Sequence, residues 1–138
     1  MTHPHFHAES SVKLWGGAVD DYMRIHDWLD ATKETYADFR HRALRHHAQG
    51  VFEAERVFGK TIANADGRIV PVRYIAEQHI KEDCGGRIPS VSDWLSQIKP
   101  AVWMSRGYPP DARLALSTGD ELAPIQSVPF ASKSSPGS

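Results

Sequence analysis

Residues 39–52 read FRHRALRHHAQGVF, and the fold turns on whether they belong to one uninterrupted helix. From Lys33 to Phe58 there is no proline and one glycine, Gly50. A period of about 3.6 residues places Ala37, His41, Leu44, Ala48, Val51, Phe52 and Glu55 on one face. The pattern predicts a central helix over 33–58, closed by Gly59, where a helix C-terminal glycine belongs. Three histidines and three arginines fall within residues 39–47. His41 and His46 are about 140° apart on an undistorted helix. The helix would therefore turn His41 inward and set Arg42, Arg45 and His46 on an outer flank.

Working outward, Asp20 and Asp21 suit a helix start, and Tyr22, Ile25, His26 and Leu29 follow at helical spacing. Residues 1–19 read as extended or irregular, ending at Gly16-Gly17. On the other side, TIANADGRIV (61–70) reads as two short strands joined by a two-residue Asp66-Gly67 turn. Pro71 ends the second strand or puts it at an edge. VRYIAEQHIKED (72–83) reads as a helix stopped by Cys84-Gly85-Gly86. IPSVSDWLSQI (88–98) reads as a last short helix capped by Ser90 or Ser92, with Trp94, Leu95 and Ile98 inward. The expected fold class is α+β and predominantly helical: three to four helices with one short β-hairpin, residues 1–104, then an irregular C-terminal arm over 105–138. That arm holds five prolines and many small polar residues, the composition of loops and tails.

The chain has 138 residues and a formal net charge of −1. One domain of that length can bury a sizeable core without disulfides. Bulk charge argues for neither nucleic acid nor a membrane surface. No apolar run approaches the roughly 20 residues a membrane span needs. Cys84 is the single cysteine, and with no basic-then-apolar leader at the start the reading is a cytoplasmic protein.

Histidine is the unusual component, with eight copies. His26, His41 and His79 sit on apolar faces of three expected helices. Three neutral imidazoles with Glu77 would suit zinc or another divalent transition metal. A histidine among apolar neighbours is otherwise a hydrogen-bonded core residue. No His-Glu-x-x-His or Cys-x-x-Cys motif is present, and His26-Asp27 is a lone dipeptide. Arg42, Arg45 and His46 form a basic patch able to contact phosphate or nucleic acid, or simply a solvated face laced to Asp38. His3, His5 and His7 alternate and would point one way from an extended strand. They read as a mobile terminus, an adventitious metal strip, or, for His7, a residue folding back onto the core site.

The segments His26-x-Trp28, His41-Arg42, Asn64-x-Asp66-Gly67, Glu77-x-His79 and Ile88-Pro89 before Trp94-Leu95 resemble a family of small uncharacterised bacterial and phage proteins, a domain of unknown function, over about residues 3–98. The resemblance implies no activity and transfers no catalytic residue. The expected function is a small binding or accessory protein of phage type with a histidine-rich metal centre. The competing expectations are a metal-dependent phosphoester hydrolase, with Glu77 or Asp27 as base, and a nucleic-acid-binding protein using the basic flank. Partners are unknown, with self-association or a protein partner through the arm as the candidate. No signature of a named reaction is present.

Overall fold

The computed structural model describes residues 3–109, 116–117 and 122–123. The chain divides into two units, Met1–Ser96 and Gln97–Ser138. The first contains helices α1 (Pro4–Trp15), α2 (Val19–Asp30), α3 (Arg42–Arg45), α4 (Ala48–Phe58), α5 (Val72–Asp83) and α6 (Val91–Leu95), with strands β1 (Thr61–Ala63) and β2 (Ile69–Pro71). Single 3-10 turns cover Ala31–Glu34 and Phe39–His41. In the second unit the described residues hold a 3-10 turn at Val102–Ser105 and a two-residue strand pair, β3 (Leu116–Ser117) with β4 (Leu122–Ala123). Most of the arm expected over 105–138 lies outside the described residues. No helix among those described is long and apolar enough to cross a membrane.

The predominantly helical α+β expectation holds, but two segments differ from it. Residues 4–15, expected to be irregular, form α1. His3 caps it, its imidazole accepting from the His5 amide at 3.1 Å, and Pro4 occupies the first turn, where a missing N–H costs nothing. Ala8 is fully buried, with Val12 and Trp15 packed against the core, so this helix is held by its inner face. His3, His5 and His7 therefore do not form a strip: His5 is exposed and paired with Glu9, while His7 is fully buried.

The predicted central helix over 33–58 is broken. Asp38 caps a 3-10 turn through the Arg40 amide. The four-residue α3 then ends at His46 (φ −88°, ψ 68°) and the chain extends at His47 (φ −159°, ψ 171°) before α4 begins. Two backbone groups freed by the break find tertiary partners: the Trp94 indole N–H donates to the His46 carbonyl at 2.9 Å, and the Ala48 amide donates to the Pro89 carbonyl at 2.9 Å. The His47 imidazole caps α4 by accepting from the Gly50 amide at 3.0 Å. Tertiary hydrogen bonds thus replace helical ones, and intrinsic propensity is overridden.

The hairpin forms as expected, antiparallel with Ile62 opposite Val70. Its turn is longer than two residues. Asn64 and Arg68 still pair, the Gly67 amide donates to the Asn64 carbonyl at 2.9 Å, and Gly67 takes φ +82°, the three-residue loop with a left-handed glycine. Asn64 docks the loop on the α1–α2 turn, its amide donating to the Trp15 carbonyl and the Tyr22 hydroxyl, both at 3.1 Å. Ser90 caps α6 as expected, but Leu95 and Ile98 are exposed rather than inward. The core comprises Ala8, Tyr22, Ile25, Leu29, Val51, Ala54, Val70, Val72, Ile75, Ala76 and Ile80. It brings the inner faces of α1, α2, α4 and α5 together around a second, polar interior.

Candidate metal centre

That polar interior grows from pairs one helical turn apart. On α2, His26 and Asp30 are four residues apart, as are His79 and Asp83 on α5 and His7 and Ser11 on α1, so each pair shares a face. All three faces turn inward, and the break between α3 and α4 drops His46 between them. His7, Ser11, His26, His41, His46 and His79 are 0% exposed, and Asp30 is 6% exposed.

Four donor atoms from Asp30, His46, His79 and Asp83 lie within 4.8 Å of one another. His79 Nε2 is 3.2 Å from Asp30 Oδ1 and 3.3 Å from Asp83 Oδ2. His46 Nε2 is 2.9 Å from Asp83 Oδ2 and 3.7 Å from Asp30 Oδ1. Donors on a shared ion at about 2.0–2.2 Å are separated by roughly 3.0–3.6 Å in octahedral or tetrahedral arrangement. The observed spacings straddle that range. This buried His/Asp cluster can hold a metal ion, and two carboxylates with two neutral imidazoles would balance a divalent charge.

Behind His79 runs a directed hydrogen-bond chain. His79 Nδ1 is 3.0 Å from His26 Nδ1, and His26 Nε2 is 2.8 Å from the Ser11 hydroxyl. Ser11 donates to Gln78 Oε1 at 2.5 Å, and Gln78 Nε2 donates to the Glu82 carboxylate and the His7 carbonyl, both at 2.9 Å. One proton assignment satisfies every link: His79 donates from Nδ1, His26 accepts at Nδ1 and donates from Nε2. It leaves His79 Nε2 facing the cluster, with its other nitrogen oriented by a partner as ligating histidines require. His46 lacks that support, because its Nδ1 has no hydrogen-bond partner among the described residues.

Electrostatics follow from burial and from the carboxylates. Burial pushes the Asp83 carboxyl up, but the imidazoles around it, His46 first, hold it far below the usual range. Asp30 is likewise held low against its burial, through His79. Burial pushes His79 down, and its bonds to Asp30 and Asp83 more than reverse this and raise it. Burial, then repulsion from His79 and His7, lowers His26 to about 2. Burial lowers His46 to about 4 despite its bond to Asp83. Without an ion, the same geometry is a proton-bridged network, with a cationic His79 between two carboxylates.

Of the expected ligands, the structure places His79 among the four donors and His26 directly behind it. His41 lies alongside, its ring edge-on to His46 at 5.5 Å and its Nδ1 2.8 Å from the Thr32 hydroxyl. Glu77 is not in the cluster; it lies 3.6 Å from Arg73 and lines a surface cavity with Leu14, Trp15 and Tyr74. The outward placement of His46 is corrected outright, since the helix break turns it into the interior. Arg42 and Arg45 do not form an open phosphate grip. Arg42 donates to the Asp83 carbonyl at 3.3 Å, and Arg45 stacks 4.0 Å from the Trp28 ring while donating to its carbonyl. Asp27 is exposed, away from the buried cluster. Asp30, Asp83 and Ser11 escaped the sequence reading, and His7 entered it as one of three readings of the N-terminal histidines. The repeated His-x-x-x-Asp on α2 and α5 was the signal that could have found the aspartates.

No curated protein and no solved structure matches the chain. A family model described as a domain of unknown function, DUF6915, matches residues 2–104 and so spans the whole polar interior; the chain belongs to that family.

Proposed function

We propose that the domain is a small metal-binding accessory protein. It holds one divalent transition-metal ion through His46 Nε2, His79 Nε2 and the carboxylates of Asp30 and Asp83. The observation that carries the reading is the four-donor cluster: nitrogen and oxygen atoms from three chain segments, with neighbouring donors 2.9–3.7 Å apart. Two buried carboxylates call for compensating charge. Lys33, 3.6 Å from Asp30, and Arg42, 3.7 Å from Asp83, supply part of it from the rim. A divalent ion would supply it at the centre and relieve the close approach of donors.

The centre is sealed, which favours a stabilising ion over a catalytic one, since catalytic sites keep a coordination position open to substrate. The phosphoester-hydrolase and nucleic-acid readings lose support because Arg42 and Arg45 spend donors on neighbouring carbonyls. Metal analysis of the purified, untagged full chain tests the proposal. About one equivalent is expected, lost together in His79→Ala and Asp83→Asn. A metal-free protein that takes up no divalent transition ion and is indifferent to chelator would refute it.

A further inference from the structure

Next to the four donors lies a pair of atoms that ordinary hydrogen bonding does not satisfy. His7 Nε2 and Asp83 Oδ1 are 3.3 Å apart. Both are buried, and neither has an aligned hydrogen-bond partner among the described residues. The other nitrogen of His7 is accounted for: Nδ1 is 2.7 Å from Glu82 Oε1, which also accepts from Gln78. A carboxylate on Nδ1 fixes the tautomer with its proton there and leaves a bare lone pair on Nε2. That lone pair faces a carboxylate oxygen, so two acceptors meet in the interior. The ring also lies against that of His79, with centroids 3.8 Å apart.

We propose that His7 is a fifth ligand of the ion, delivered by α1, and that Asp83 binds through both oxygens, Oδ2 beside His46 and His79 and Oδ1 beside His7. The inference rests on the metal reading above and extends it to metal choice. Three imidazoles, one Asp30 oxygen and both Asp83 oxygens form a six-coordinate nitrogen–oxygen set. That set fits manganese, iron or cobalt in the divalent state rather than the closed tetrahedron of structural zinc. It also gives the buried face of α1 a chemical purpose, with Glu82 and Gln78 as positioning residues for His7.

The test uses the metal-free full chain titrated with Co(II). Wild type is expected to bind one equivalent, with the weak visible absorption of a six-coordinate ion and three imidazoles counted by X-ray absorption. His7→Ala should lower the imidazole count to two, change the spectrum to that of a five-coordinate ion and weaken binding by roughly tenfold or more. His5→Ala, on the same helix but exposed, should change neither. Unchanged spectrum and affinity in His7→Ala, or only two imidazoles in wild type, would overturn the role of His7 while leaving the four-donor centre standing. If His7→Ala does not fold, the imidazole count in wild type decides alone. Failure of wild type to bind Co(II) or any other divalent transition ion would remove the metal reading and this inference together.

Discussion

Removing the Ser11 hydroxyl strands two buried groups at once. Its oxygen is the partner of His26 Nε2 at 2.8 Å, and its proton goes to Gln78 Oε1 at 2.5 Å. Ser11→Ala should therefore cost about 1–3 kcal/mol of stability in chemical denaturation, the penalty of unsatisfied buried polar atoms; a neutral result would contradict the relay. The same interior sets a pH dependence for the chelator-treated chain. His26 and His46 are lowered from 6.5 to about 2 and about 4, so between pH 6.5 and pH 4 the unfolded chain holds two protons that the folded chain does not. His79 is raised and works in the opposite sense, contributing below pH 6.5 and losing that contribution as pH rises through its folded value. Among these three residues the unfolded state binds more protons, so stability should fall as pH drops from 6.5 to 4; a melting temperature that rises across that window would contradict this. At this scale the sequence was partly legible. The inward placement of His26 and His79 follows from helical periodicity; His41 is inward as expected, but from a 3-10 turn rather than the expected helix. Ser11 and His7 do not follow from periodicity, because small polar and imidazole side chains on an apolar face look alike whether they face water or one another.

At the scale of elements, helices α2 and α5 and the hairpin could be read directly, since period, capping residues and Asp66-Gly67 agree locally. The break between α3 and α4 could not. No proline marks it, and the groups that make it tolerable, the Trp94 indole and the Pro89 carbonyl, lie more than forty residues downstream. Gly50 is the trace the break leaves in the sequence. A Cβ there would run into the Arg45 carbonyl, which the bend brings against the first turn of α4. Gly50→Ala should consequently destabilise by about 1–3 kcal/mol, as overpacking does. In a continuous helix the same change would be stabilising by roughly 0.5–1 kcal/mol, so the sign of the shift in denaturation midpoint distinguishes the two. Helix α1 was missed for a related reason: His3 and Pro4 form an unusual cap, and the inner face of the helix is half polar.

Across the whole molecule, the family match ends at residue 104, where the composition changes. Truncation after Met104 should leave the melting temperature of the domain nearly unchanged. A large drop would mean that residues 105–138 stabilise the fold or an assembly. The fold as a whole places a polar centre where a domain of this size could have closed an apolar core. Such a centre is costly unless fully compensated, and the proposed metal ion would compensate it. Elemental analysis of the untagged full chain, paired with its melting temperature before and after chelation, tests this most directly. About one equivalent of a divalent transition metal is expected, with a lower melting temperature once it is stripped and recovery on adding the ion back. A protein that carries no metal, melts at the same temperature with and without chelator, and gains nothing from added divalent ions would contradict it.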